Sequence, residues 1–257
     1  MKLDALVAAT LLVASPSAAQ GAPPPPVVWS GEAGLSYVQT TGNSENSTLG
    51  AGLKLGYQRD VWTVSFATAF VRTQSDGLKN AEKFDAMLRG ERGFGERVAV
   101  YAQGAFLRDL FAGIDGQETV ESGGLYKLAT GPKHSFSLSA ALAYTAEQRL
   151  APSPDRNFAG GRGALAYTWQ ISPTARFTEN LSYLQSFKAS ADGRVLHRAA
   201  LTANINEIFA LKLAHELLYF RDPVPGKKRT DTTVLVSIVA RWPTPAPPCP
   251  PCPPQPP

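Results

Sequence analysis

Thr232-Thr-Val-Leu-Val-Ser-Ile-Val-Ala-Arg-Trp242 alternates apolar and polar residues with a period of two. Val234, Val236, Ile238, Ala240 and Trp242 share one face, and Thr233, Ser237 and Arg241 fall on the other. Successive side chains of a strand point to opposite sides, so this is a strand with one face in an apolar medium. Its length is close to the roughly 9–11 residues that a tilted strand needs to cross a bilayer. Working back toward the N-terminus, about twelve such segments appear, separated by turns. The fold read from them is all-β: a transmembrane antiparallel up-and-down barrel.

Connection lengths alternate along this reading. Thr40–Ser44, Ser75–Asn80, Arg108–Gln117, Leu150–Asn157, Ala189–Arg194 and Arg221–Arg229 read as the longer set. Arg59–Asp60, Gly93–Glu96, Thr130–Lys133, Ser172–Thr174 and Asn206–Ile208 read as the shorter. Long loops at one end and short turns at the end that carries both termini is the outer-membrane arrangement. Tyr37, Tyr57, Trp62, Phe70, Tyr144, Trp169, Tyr183, Tyr219 and Trp242 gather near segment ends, where amphipathic rings favour the lipid–water interface. Glu179 breaks the apolar face of its strand, which reads as a bulge or as a shifted register.

The 257 residues are 44% hydrophobic with a formal net charge of +4. The mean hydropathy of −0.13 is far below that of a helical membrane protein and fits a wall with one polar face. The charge is too small and too evenly spread for nucleic acid, and supports at most a weak preference for anions. Residues 1–19 read as a secretory signal peptide, with small residues at Ser17 and Ala19 before the cut, or a cut near Ala22. Residues 20–27 form a Pro-rich leader, 28–242 the barrel and 243–257 a Pro-rich periplasmic tail. Both cysteines, Cys249 and Cys252, lie in that tail. Its polyproline II character separates their Cα atoms by roughly 9 Å, too far for a disulfide without a local turn. The tail reads as a spacer with no chemistry of its own; contact with the cell wall or another envelope protein is the alternative.

Two runs carry a family resemblance. The opening Trp29-Ser-Gly-Glu-Ala-Gly-Leu-Ser-Tyr37, then Thr41-Gly-Asn-Ser44, then Tyr57-Gln-Arg-Asp60-Val-Trp62, resembles the DUF481 family. So does Arg108-Asp-Leu-Phe-Ala-Gly-Ile-Asp115 followed by Gly123-Gly-Leu-Tyr126. The resemblance runs from about Trp29 to Trp242 and implies an outer-membrane barrel, described for that family as salt-stress-induced. It brings no catalytic residue with it, and the Pro-rich ends depart from it.

The polar strand faces would carry any selectivity. Glu32, Lys54, Arg89, Arg162 and Arg198 are the leading candidates to line the lumen, with Glu91, Gln103, Lys127, Arg176 and Lys212 beside them. Opposed charges there either pair and block a narrow lumen or line a path for small anions; both readings stand. Val234, Val236, Ile238 and Trp242 resemble the aromatic-ended signal read by barrel-insertion machinery, although fifteen residues follow it. Outer-membrane lipids and lipopolysaccharide are the remaining expected partners.

Catalysis and metal binding are the competing readings. A lipid-modifying barrel enzyme needs a histidine and a serine held by a third polar group. The candidates are His134, His197 and His215, the last beside Glu216 but facing the opposite way. No cofactor is implied, and no His or Cys cluster has metal-ligand spacing. Asp109 and Asp115 share a loop and read as solvated carboxylates, or as contacts to a divalent cation on lipopolysaccharide. A soluble secreted β-protein is the remaining alternative.

Overall fold

The computed structural model describes residues 28–242 apart from 41–45, 76–77 and 191. The signal peptide, leader and tail expected at the ends, with both cysteines, lie outside the described residues. The strands are β1 (Val28–Thr40), β2 (Asn46–Arg59), β3 (Trp62–Ser75), β4 (Leu78–Phe94), β5 (Val98–Asp109) and β6 (Ile114–Thr130). They continue as β7 (His134–Arg149), β8 (Arg156–Gln170), β9 (Ala175–Ser186), β10 (Gly193–Asn204), β11 (Phe209–Phe220) and β12 (Thr230–Trp242). Each pairs antiparallel with its sequence neighbours, and β1 pairs with β12 to close the barrel.

Closure is set by the same segment whose alternation opened the reading. Gly31 lies opposite Trp242, Ala33 opposite Ala240 and Leu35 opposite Ile238. Gly31 leaves room for the Trp242 ring: a Cβ at that position would sit 2.5 Å from the ring. A closed ladder leaves no edge strand, so each strand finds backbone partners on both sides.

The wall has the polarity of a membrane barrel. Leu35, Leu142, Val236 and Ile238 point outward and are 68%, 69%, 51% and 58% exposed. Their inward neighbours on the same strands are Ser36, Ala143, Ser237 and Val239. An exterior that presents leucine and valine on every side is stable only in hydrocarbon. Trp29 meets Tyr57 edge-on at 4.8 Å near the short-turn end, and the Arg92 guanidinium lies over Trp62 and Phe94. These rings mark one interface; Tyr37, Tyr144, Tyr183 and Tyr219 lie toward the other.

Several strands run further than the alternation showed. β3 and β4 continue to Ser75 and from Leu78, so most of the expected loop Ser75–Asn80 is hairpin, with a register shift at Thr73/Gln74. β6 starts at Ile114, which shortens the expected Arg108–Gln117 loop to residues 110–113. β8 starts at Arg156. Beyond the hydrocarbon both faces of a ladder meet water or loops, so hydrogen bonding continues where side-chain alternation stops. Asp60 takes a left-handed φ of 52° in the tight turn between β2 and β3. β9 runs in unbroken register with both β8 and β10, so Glu179 is neither bulged nor shifted: it points outward.

The wall makes a depth-dependent prediction. Val236→Arg is expected to lower barrel stability by about 2–4 kcal/mol in urea titrations of the protein folded into lipid vesicles. An unchanged midpoint would mean that Val236 does not face hydrocarbon.

Candidate functional site

The lumen is divided into two parts. At the loop end, β10 places Arg194 at the centre of a buried network. Its guanidinium donates to Glu147, to Gln117 Oε1 at 2.8 Å, and to Asp192 Oδ1 and Oδ2 at 3.1 and 3.3 Å. Arg149 Nε donates to the other oxygen of Glu147 at 2.5 Å. The Glu147 side chain is wholly buried. Arg194 also lies between two rings, 4.9 Å from that of Phe158 and 5.3 Å from that of Phe220. Arg156, at the start of β8, bridges Asp222 at 2.7 Å and Asp192 at 3.8 Å.

An apolar cluster completes this closure. Ala112, Ile114, Leu218 and Phe220 pack together, with Leu107 and Leu196 against them. Val224, from the loop after β11, is buried against Gly113 in the loop after β5. Gly113 takes a φ of 78°, and a Cβ there would lie 3.1 Å from Val224. Lys227 Nζ donates to Leu110 O at 3.1 Å and ties the two loops together. We refer to this assembly of loops and ion pairs as the plug.

Below it the inward charges are paired, within a strand, between near strands and, from β4 to β10 and β11, across the lumen. Lys83 lies 2.5 Å from Glu216 and 3.2 Å from Asp109; Arg198 lies 2.5 Å from Glu216 and 3.7 Å from Asp85. Arg162 meets Glu121 at 2.6 Å, and Tyr101 donates to the same carboxylate at 3.4 Å. The Arg89 guanidinium lies 3.6 Å over the Tyr101 ring and pairs with Glu91 at 3.1 Å.

The short-turn half is more basic. Lys212 pairs with Glu32 at 2.5 Å, although the two are separated by most of the sequence. Lys54, opposite Glu32 on β2, is exposed to the lumenal water. Strand parity brings Arg89, Lys127, Arg176 and Arg241 to this half, against Glu32 and Glu91. A cavity of about 160 Å³ is lined here by Glu32, Ser36, Lys54, Lys212 and Ser237, among others. A larger concavity of about 730 Å³ lies on the outer wall between Val100, Tyr126, Leu165 and Tyr183, away from these charges.

Of the residues singled out in the sequence, Glu32 and Lys54 therefore meet near Lys212, Arg198 joins the Glu216 group, Arg162 joins Glu121, and Arg89 joins Tyr101. Arg194, Glu147 and Asp192 were missed. Their signal was available: Glu147 with Arg149, and Asp192 with Arg194, are opposite charges two residues apart, the spacing that puts both on one strand face. The expectation that Asp109 is a solvated loop carboxylate is corrected: it is buried beside Lys83 and accepts from the Ala112 amide at 3.1 Å. Asp115 is held by Arg108 at 3.2 Å.

The histidines lie on the outer wall. His134 shares a hydrogen bond of 2.9 Å with the Tyr167 hydroxyl and stacks near Trp169. His197 Nε2 is 3.2 Å from Glu179 Oε1, and its ring centre lies 5.8 Å from that of His215. Neither hydrogen bond involves a serine. Among the described residues no group of three His, Cys, Asp or Glu side chains is placed to hold a metal ion.

Truncating the hub of the plug leaves Glu147 buried without its main partner. Arg194→Ala is expected to destabilise the barrel by about 3–5 kcal/mol in denaturant titration, and Glu147→Ala by a similar amount. The double variant should lose much less than the sum, because each single change already breaks the pair. Additive losses would contradict the network.

Comparison with known proteins agrees with this architecture. The model of a family described as a protein of unknown function, DUF481, matches residues 33–242. A protein of Escherichia coli (strain K12), described as uncharacterized protein YdiY, is 23% identical over 212 residues, covering 81% of each chain. The crystal structure of the COG4313 outer membrane channel from Pseudomonas putida F1 superposes with a TM-score of 0.50 at 11% identity, covering 89% of this chain and all of that one. At that identity the likeness concerns the fold.

Proposed function

Given that this chain belongs to the DUF481 family, we propose that it is an outer-membrane barrel that lets small solutes pass passively, with a preference for anions, when the plug at its loop end yields. The observation that carries the reading is the asymmetry of the lumen. The charges of a solid structural barrel would balance along its length, whereas here a half with an excess of basic groups, Lys54 exposed among them, meets a closure assembled partly from loops. Positive charge in a narrow, low-dielectric passage raises the local anion concentration. The charges of the plug are neutralised internally, so displacing it exchanges protein ion pairs for hydrated ones, at the cost of exposing the small apolar cluster around Ile114 and Phe220.

Within this proposal residues 1–19 direct export, and Val234, Val236, Ile238 and Trp242 are read by the barrel-insertion machinery. The outer strand ends meet lipopolysaccharide, where Arg108, Glu82 and Asp115 form an exposed charge pairing. The Pro-rich tail serves as a periplasmic spacer, with contact to the cell wall or another envelope protein as the alternative. Passage of small ions fits an envelope role under osmotic or salt stress, as the family resemblance implies. No catalytic step belongs to this reading.

Planar-bilayer recording of the purified protein tests it. Wild-type barrels should give infrequent steps of reproducible size with reversal potentials on the anion side. Arg194→Ala should open far more often, and Lys54→Glu with Arg176→Glu should move the reversal potential toward cations. Silence from well-folded wild-type and Arg194→Ala barrels alike would leave the structural role alone.

A further inference from the structure

The outward-facing ionisable groups are distributed unevenly. Arg72, Glu82, Arg108 and Glu118 lie toward the loop ends of their strands, and Arg92 and His134 near the short turns, all where polar groups reach water or headgroups. Glu179, His197 and His215 are different. Glu179 lies between outward Phe177 and Leu181, His197 between Val195 and Ala199, and His215 between Leu213 and Leu217. They therefore sit inside the apolar band, on three adjacent strands, and touch one another.

Ionisable side chains at that depth are expensive against lipid and are ordinarily turned toward protein. Glu179 and His197 remain 37% and 27% exposed at the side chain, so the barrel itself does not cover them. We propose that this patch is where the barrel pairs with a second copy of itself, through a two-fold axis parallel to the membrane normal and passing over β10.

The arrangement is self-complementary about that axis. Ala199 on β10 is opposite Glu179 on one side and opposite His215 on the other. A two-fold rotation about a line over β10 exchanges the two flanks. It sets the flank that carries the carboxylate of one copy against the flank that carries the imidazole of the other, twice; strand tilt offsets the two groups in depth by about 6 Å, a span that the two side chains together can reach. Acceptor and donor are then both removed from hydrocarbon, and His197 stays with its own Glu179. Ala199, the small residue on the axis, lets the two walls approach. A foreign partner would need the same donor and acceptor in mirrored order; the chain already supplies them. The proposal depends on the membrane-spanning wall and is independent of whether the lumen conducts.

Cysteine cross-linking in lipid vesicles, in a Cys249→Ser/Cys252→Ser background, tests it. Ala199→Cys should oxidise to a disulfide-linked dimer, because the axis brings each copy of that position to itself. Ala86→Cys, outward on β4 across the barrel, should not. Converting Glu179, His197 and His215 together to leucine should lower the cross-linked fraction about tenfold or more while the protein keeps its heat-modifiable mobility on gels. If that variant does not fold, Ala199→Trp, which leaves the three polar groups in place and wedges the walls apart, should abolish the dimer mass seen in lipid nanodiscs. Purified wild-type protein that is monomeric in lipid, equal cross-linking at Ala86→Cys, or dimers that survive both changes would overturn the proposal. Capture of a different membrane protein at the patch by a monomeric barrel would overturn it too.

Discussion

Hydrocarbon offers no hydrogen-bond partner to a peptide group, and this single constraint organises the molecule. Every N–H and C=O within the membrane must find its complement in the chain, and strands meet that demand only when the sheet closes on itself. The β1–β12 seam is therefore the condition on which the other pairings depend. Its geometry is specific to this sequence: Gly31 accommodates the Trp242 ring, and Val239 lies against Gly34. Once the sheet is closed, strand parity assigns every side chain to lipid or to lumen.

That assignment explains the composition of the interior. A lumen of this size is too narrow to hold so many charges apart, and too polar to be packed as an apolar core. The outcome is pairing between strands: Arg198 with Glu216 on the next strand, Lys212 with Glu32 past β12, Arg194 with Glu147 three strands away, and Lys83 with Glu216 across the lumen. Burying such pairs adds little to stability compared with apolar packing, but breaking one is severe. The charges accordingly hold the barrel in one arrangement, with a buried network at the loop end and an excess of basic groups at the other.

The sequence was informative where the membrane enforces a pattern and silent where it does not. Alternation located Val234 to Trp242, Leu49 to Tyr57 and Phe136 to Tyr144 on the correct faces, because one face of each had to be apolar. It lost the strand ends at Ser75, Ile114 and Arg156, which lie outside that requirement. It gave no sign that Glu32 meets Lys212 or that Val224 is buried on Gly113, since the first contact depends on β1 closing on β12 and the second on how two loops far apart in sequence pack together. Glu179 looked like an error in the pattern; in the fold it is a lipid-facing carboxylate held by His197.

The central claim is that the lumen is open from the short-turn end and shut at the loop end, and thiol accessibility measures it directly. Lys54→Cys, in the Cys249→Ser/Cys252→Ser background, places a reporter in the basic vestibule. A negatively charged, membrane-impermeant thiol reagent added outside intact cells should leave it unmodified, and the same reagent admitted to the periplasm should modify it rapidly. Equal rates from the two sides would contradict the plug, and protection from both would contradict the open vestibule.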